Sequence, residues 1–175
     1  GRLRAELGIG PEKVVVGFTG RIEPKKGLEP LIRAAAIVLR GRPDLVFVIV
    51  GDVPNSSPID HRAIYEALAR DLGIADRVLF AGFKKDVRPA VVDFDILCLP
   101  SFREPFGRSI IEGMALGRPV VSCRSGGVPE ILTDGHDGLM VPPGDVQALA
   151  DALARLVDDP ALRRRLSEAA IATVC

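Results

Sequence analysis

Short apolar runs rich in β-branched residues alternate along this chain with segments whose apolar residues recur at helical spacing. That alternation restricts the fold more than any other feature of the sequence. Val14 to Phe18 and Leu45 to Val50 read as continuous strands of the kind covered on both faces. Between them Leu28, Leu31, Ile32, Ala35 and Leu39 follow helical spacing, and Gly41 with Pro43 ends that helix. The pattern continues with a helix over His61–Leu72 closed by Gly73, a strand over Val78–Ala81 and a short helix over Asp86–Val92. A strand at Ile96–Leu99, a helix at Ser109–Leu116 and strands at Val120–Ser122 and Leu139–Val141 follow. Asp145 caps a helix that carries Val146, Leu149, Leu153 and Leu156 on one face. Pro160 opens a last helix over Ala161–Thr173.

Repeated strand–helix alternation requires right-handed crossovers. The expected class is therefore α/β, a Rossmann-like doubly wound parallel sheet of about six strands with helices on both faces. In such sheets ligands bind outside the carboxyl ends of the strands. The informative segments are thus 19–27, 51–58, 82–86, 100–108 and 123–130. At 175 residues the chain suits a single main domain that needs neither disulfides nor metal to fold. Its 23 basic and 23 acidic residues cancel, which argues against a general binder of nucleic acid or of acidic membranes. Cys98 and Cys123 lie in apolar runs and no CxxC occurs, the usage of reduced, buried thiols in a cytoplasmic protein. No apolar stretch reaches the roughly 18 residues of a membrane span, and no signal-peptide pattern opens the chain. The first residue is Gly rather than Met, which suggests a piece of a longer protein.

Three loops carry candidate chemistry. Gly20-Arg21-Ile22-Glu23-Pro24-Lys25-Lys26-Gly27 sets two cations, Arg21 and Lys26, beside glycines and just before a helix. A forked guanidinium and a point charge there suit a diphosphate clamp, and a solvated basic loop fits the same residues. Neither a P-loop nor GxGxxG is present at this position. After the strand at 96–99, Glu104 and Glu112 stand eight positions apart, one in a loop and one inside a helix. Gly107 and Ser109 offer backbone N–H groups at that helix start. An ionised Glu112 could accept two hydrogen bonds from a vicinal diol such as a ribose, and it could equally be a solvated helix carboxylate. Gly126-Gly127 reads either as a nest for a second anion or as a tight turn. Asp93-Phe94-Asp95 has the form of a divalent-metal site but precedes its strand, at the wrong end of a parallel strand for a ligand. The run Arg163-Arg164-Arg165 reads as the solvated face of the last helix.

In this order the loops resemble the carboxyl-terminal, donor-binding domain of retaining glycosyltransferases of the GT-B fold, in family 4 (group 1). The matching elements are Gly20-Arg21 with Lys26-Gly27, Gly51-Asp52, Val78-x-Phe80-x-Gly82, Asp95 with Leu99-Pro100-Ser101, Glu104-x7-Glu112 and Gly126-Gly127-x-Pro129-Glu130. The match continues from Asp134-Gly135 through Gly138 and Val141 to Asp145 and covers nearly the whole chain. The resemblance implies that Arg21 and Lys26 hold the donor diphosphate and neutralise it as it leaves. It implies that Glu112 meets the nucleotide ribose, and that Glu104 lies beside the donor sugar with backbone N–H groups of Phe106, Gly107 and Arg108. Gly82, Phe83 and Lys84 would contact the base. Gly20, Gly51 and Ser109 complete the expected nucleotide-sugar site, with Arg21, Lys26 and Glu104 as its catalytic members.

The implied function is retaining, metal-independent transfer of a hexosyl group from a nucleoside diphosphate sugar, UDP- or GDP-linked, to an acceptor. No cofactor and no metal site is expected. Asp95 falls at the family's structural Asp, which weakens the metal reading further. Residues 1–12 resemble the segment that links the two halves of such enzymes, and residues 13–175 the donor domain. The amino-terminal acceptor domain is the expected partner, and any peripheral membrane association is assigned to it. By itself the half is expected to bind donor weakly and to catalyse little. The alternatives are a nucleotide-sugar epimerase of the same fold and a non-catalytic or degenerate nucleotide-binding module.

Overall fold

The computed structural model describes all residues from 1 to 175. Its elements are α1 (Arg2–Leu7), β1 (Val14–Thr19), α2 (Leu28–Val38), β2 (Leu45–Val50), α3 (His61–Asp71), β3 (Val78–Gly82), α4 (Arg88–Val91) and β4 (Ile96–Leu99). They continue with α5 (Arg108–Ala115), β5 (Val120–Cys123), α6 (Val128–Ile131), β6 (Leu139–Val141), α7 (Val146–Asp158) and α8 (Pro160–Val174). The six strands form one parallel sheet in the order β3-β2-β1-β4-β5-β6. The expected doubly wound sheet is therefore the observed one.

Burial follows from that order. Every residue of β2, β4 and β5 is buried, because helices cover both faces of the central strands. The outer strand β3 is mostly half-buried. On one face α2 packs against α3 and α7; elsewhere α5 packs against α8 and α1 against α4. Right-handed crossovers on the two sides of β1 run in opposite directions, which puts their helices on opposite faces. One continuous apolar cluster of 46 buried residues joins both layers, so the chain has a single core. Asp145 and Asp159 accept hydrogen bonds from the backbone N–H groups of Ala148 and Leu162, which fixes the starts of α7 and α8. No helix is long and apolar enough to cross a membrane.

Three elements depart from the sequence reading. Residues 2–7 form a helix, a 3₁₀ turn occupies Pro24–Lys26, and α6 follows the Gly126-Gly127 pair. The first is held from outside itself. Asp93 accepts hydrogen bonds from the N–H groups of Leu3 (2.7 Å) and Arg4 (3.2 Å) at the start of α1. Arg4 donates to the carbonyls of Asp93, Gly10 and Lys13 and to Asp95 Oδ2 at 2.8 Å. The Asp95 carboxylate also accepts the Val15 N–H at 2.7 Å. Asp93 and Asp95, the two carboxylates of the metal-like sequence, thus fasten α1 and the start of β1 at the amino edge of the sheet.

Two predictions follow from burial and from this cluster. Arg4→Ala removes several charge-assisted bonds and leaves Asp95 with one partner, so it should cost about 2–4 kcal/mol in urea unfolding. Burial pushes the Cys98 thiol well above its ordinary pKa and that of Cys123 up to about 11. Both are then neutral and shielded at pH 8, whereas Cys175 is exposed. A thiol reagent should therefore modify only Cys175 in the folded chain and all three cysteines once it is denatured.

Candidate functional site

Strand order reverses between β1 and β4. These two strands pair in register only at Val16–Ile96 and Gly17–Leu97. Beyond that point their carboxyl ends open into the two loops that carry Gly20, Arg21, Lys26, Glu104, Phe106 and Gly107.

The β1 loop is held by its backbone and one buried side chain. The Gly20 N–H donates to Val50 O and the Ile22 N–H to Asp52 O, at 3.0 and 2.9 Å, while the Ile22 side chain is fully buried. The loop then meets the exit of β4. Gly27 has φ 77°, and a side chain there would run into the Pro100 carbonyl oxygen. The Phe102 N–H donates to Lys25 O at 2.9 Å, which ties the two loops together.

A cavity of about 200 Å³ lies between them, bordered by Gly20, Arg21, Lys26, Ser101, Glu104, Gly107 and Ser109. Lys26 Nζ stands 3.4 Å from Glu104 Oε2. Glu104 Oε1 accepts the Gly107 N–H at 3.2 Å, and Ser101 Oγ lies 3.5 Å from Oε2. Gly107 caps the start of α5, so the positive end of that helix faces the same space. Arg21 is largely exposed and pairs with Glu23 Oε1 at 3.4 Å. Glu23 Oε2 lies 3.2 Å from Lys25 Nζ yet makes no hydrogen bond. Two cations and a helix start around one cavity make a site for a polyanion.

A second cavity of about 190 Å³ adjoins the first through Gly20 and Arg21, and is also lined by Val50, Gly51, Asp52, Phe83, Lys84 and Val87. Phe83 is 72% exposed, so a ring face is free for stacking against a planar ligand. Lys84 is tied back to Glu6 of α1 by an ion pair. Gly20 and Arg21 thus stand where an anion site meets a slot suited to an aromatic group.

Of the remaining expected residues, Phe106 (79% exposed), Arg108 and Glu112 border neither cavity. Glu112 is exposed on α5, near enough to Arg88 of α4 to act on its charge, and Val87 beside Arg88 lines the second cavity. Ser101 and Asp52 line the cavities too; the sequence held them only as members of the Leu99-Pro100-Ser101 and Gly51-Asp52 motifs, two residues beyond their strands, and gave neither a role in the site.

The Gly126-Gly127 pair does not form the second anion nest. The Gly127 N–H is spent on Glu104 O at 2.9 Å. A side chain at Gly126 would collide with the Glu104 carbonyl, and one at Gly127 with that of Pro105. The glycines are there so that one loop can lie against the backbone of the other.

Comparison with known proteins gives this arrangement a family. The family described as glycosyl transferases group 1 matches residues 1–173. The chain is 37% identical over 176 aligned residues to a D-inositol 3-phosphate glycosyltransferase of Kribbella flavida, covering 96% of this chain and 41% of that protein. Among solved structures, Anabaena Alr3699/HepE in complex with UDP-glucose superimposes with a TM-score of 0.90 at 32% identity, over 99% of this chain and 46% of that one. The C-terminal domain of a glycosyl transferase group 1 protein (LpcC) from Francisella tularensis gives 0.89 at 29% identity, over 99% and 89%. The chain therefore spans less than half the length of the first two relatives and nearly all of an isolated C-terminal domain.

Close approach at residue 126 makes a direct test of the loop packing. Gly126 has φ 52°, so Gly126→Ala combines backbone strain with a collision against Glu104 O. It should lower stability by about 1–3 kcal/mol in denaturant unfolding. An alanine tolerated without loss would mean that the two loops do not bear on each other.

Proposed function

The chain belongs to the glycosyl transferases of group 1, and from that premise we propose that it is the half that binds a nucleoside diphosphate sugar for glycosyl transfer. The diphosphate lies in the first cavity between Arg21, Lys26 and the start of α5. The base enters the second cavity against Phe83, with Lys84, Gly51 and Gly82 around it. The ribose bridges the two near Gly20, within reach of Glu112. The sugar lies beside Glu104, with the N–H groups of Phe106, Gly107 and Arg108 and the hydroxyl of Ser109 nearby.

One observation carries this reading: two cations and a helix N-terminus converge on a cavity at the point where strand order reverses, and an adjoining slot shares Gly20 and Arg21 with it. The UDP and UDP-glucose complexes of the Anabaena neighbour support a nucleotide as the ligand and make a uracil nucleotide the first to test. GDP-linked donors are the second.

Catalysis on this reading is electrostatic. As the glycosidic bond to phosphate breaks, charge grows on the diphosphate while the sugar gains oxocarbenium character. Arg21, Lys26 and the α5 N–H groups then stabilise the transition state more than the ground state. They supply the neutralising charge without a divalent ion. The hexosyl group passes with retention of configuration to an acceptor held by a second domain, in the cytoplasm. That second domain is the expected partner of the carboxyl edge, where Phe83, Phe102 and Phe106 are exposed.

Calorimetric titration of the 175-residue chain with UDP, GDP and ADP tests the binding half of this reading. We expect one diphosphate to bind selectively with micromolar to millimolar affinity, about −4 to −8 kcal/mol, and Glu112→Ala to weaken it. In a two-domain protein that carries this chain, Arg21→Ala and Lys26→Ala should each lower kcat about 100- to 1000-fold, more than they weaken binding. A raised KM with kcat intact would remove the charge-stabilising role. Failure of the two-domain protein to bind any of the three nucleotides would overturn the reading as a whole.

A further inference from the structure

Glu104 meets both groups that the proposed diphosphate site would use. Its Oε2 is 3.4 Å from Lys26 Nζ, and its Oε1 takes the Gly107 N–H at the start of α5. The carboxylate of the chain thus engages one of the two cations and the helix start together. Its backbone is fixed while it does so, since the Glu104 carbonyl accepts the Gly127 N–H at 2.9 Å. Only the side chain is free to leave. Arg21, the other cation, is largely exposed and pairs with a different carboxylate, Glu23.

We propose that Glu104 is an internal competitor for the diphosphate: its carboxylate must leave Lys26 and Gly107 for the nucleotide to bind, and its return helps to expel the nucleoside diphosphate product. This rests on the reading of the site given above. The Gly107 N–H is a single donor that one acceptor takes, and although the Lys26 ammonium has three donors, a carboxylate and a phosphate side by side on it repel each other, so binding of either disfavours the other at those groups. When a donor binds, the displaced carboxylate moves toward the sugar, whose hydroxyls replace the bonds it lost. When the sugar has been transferred, that replacement is gone and the carboxylate returns to Lys26. The residue thereby discriminates a loaded donor from a spent nucleotide, because only the loaded donor gives Glu104 something to hold. If self-pairing leaves about a tenth of the molecules ready to bind, it weakens the apparent affinity for UDP about tenfold.

The test compares the wild type, Glu104→Gln and Glu130→Gln by calorimetry at low salt with UDP, UDP-glucose and uridine. Glutamine keeps the shape of the side chain and removes its charge. Glu130 is an exposed carboxylate on the same edge of the sheet, with no contact to Lys26 or Gly107, and reports on long-range charge alone. The expected result is that Glu104→Gln binds UDP about tenfold more tightly, gains clearly less for UDP-glucose, and leaves uridine unchanged. Glu130→Gln should leave UDP affinity nearly unchanged. A structural role for Glu104, in which it merely holds Lys26 in place for phosphate, predicts weaker UDP binding by Glu104→Gln and would overturn the proposal. So would an equal gain for uridine, an equal gain for UDP-glucose or an equal gain in Glu130→Gln. In each of those cases UDP still binds the wild type and the reading of the site stands. If neither the wild type nor Glu104→Gln binds UDP when carried in the two-domain protein, both the proposal and that reading fall.

Discussion

A parallel strand is reached from its neighbour only by a crossover over one face of the sheet, and that crossover is right-handed. Everything at the site depends on this constraint. Because β2 and β3 are added on one side of β1 and β4 to β6 on the other, the crossovers diverge at β1. Two loops with no sequence relation are thus delivered to the same edge, and the helix start that follows β4 points into the space between them. The residues that carry charge need no framework of their own, because the sheet positions them.

The loops are then brought to contact distance by backbone. Phe102 N–H to Lys25 O joins the first two, and Gly127 N–H to Glu104 O joins the second to the third. Both contacts lie beside positions where a side chain would collide with a carbonyl, at Gly27 and Gly126. Glycine at these places sets how closely the loops approach, and so sets the separation of Lys26 and Glu104. A site made of opposite charges at short range is attractive to itself as well as to a ligand. The same proximity that builds a polyanion cavity also lets one of its carboxylates occupy it, which makes binding an exchange of partners rather than a simple addition.

The opposite edge of the sheet carries a second cluster of charges with a different purpose. Arg4, Asp93 and Asp95 bond to one another and to backbone groups of α1 and β1. Here each polar group is satisfied by a fixed partner, so the cluster stiffens the fold and has nothing to offer a ligand. Glu23, Arg21 and Lys26 on the carboxyl edge are less completely paired. Proteins commonly keep such incompletely satisfied polar groups where a ligand supplies the missing partner.

Strand positions were legible along the chain because a fully buried parallel strand is a continuous apolar run. Leu45–Val50, Ile96–Leu99 and Leu139–Val141 run the same in sequence and in structure. Arg21, Lys26, Glu104 and Gly107 were legible as candidates because a parallel sheet binds ligands where its strands end. The helix α1 was not, since six residues carry too little periodicity and its hold comes from Asp93, some 90 positions away. The sequence left Gly126-Gly127 open between an anion nest and a tight turn for the same reason: its partner, the Glu104 carbonyl, belongs to another loop. Sequence by itself determined the α/β class, the positions of the six strands, the family and the chemical types at the loop ends, all of which follow from local pattern. Tertiary structure alone decided which loops meet, that Lys26 pairs with Glu104 across 78 residues, and that Phe106, Arg108 and Glu112 stand outside both cavities. The physical reason is that pairing between distant residues depends on strand order and backbone approach, and neither is encoded in the spacing of any one segment.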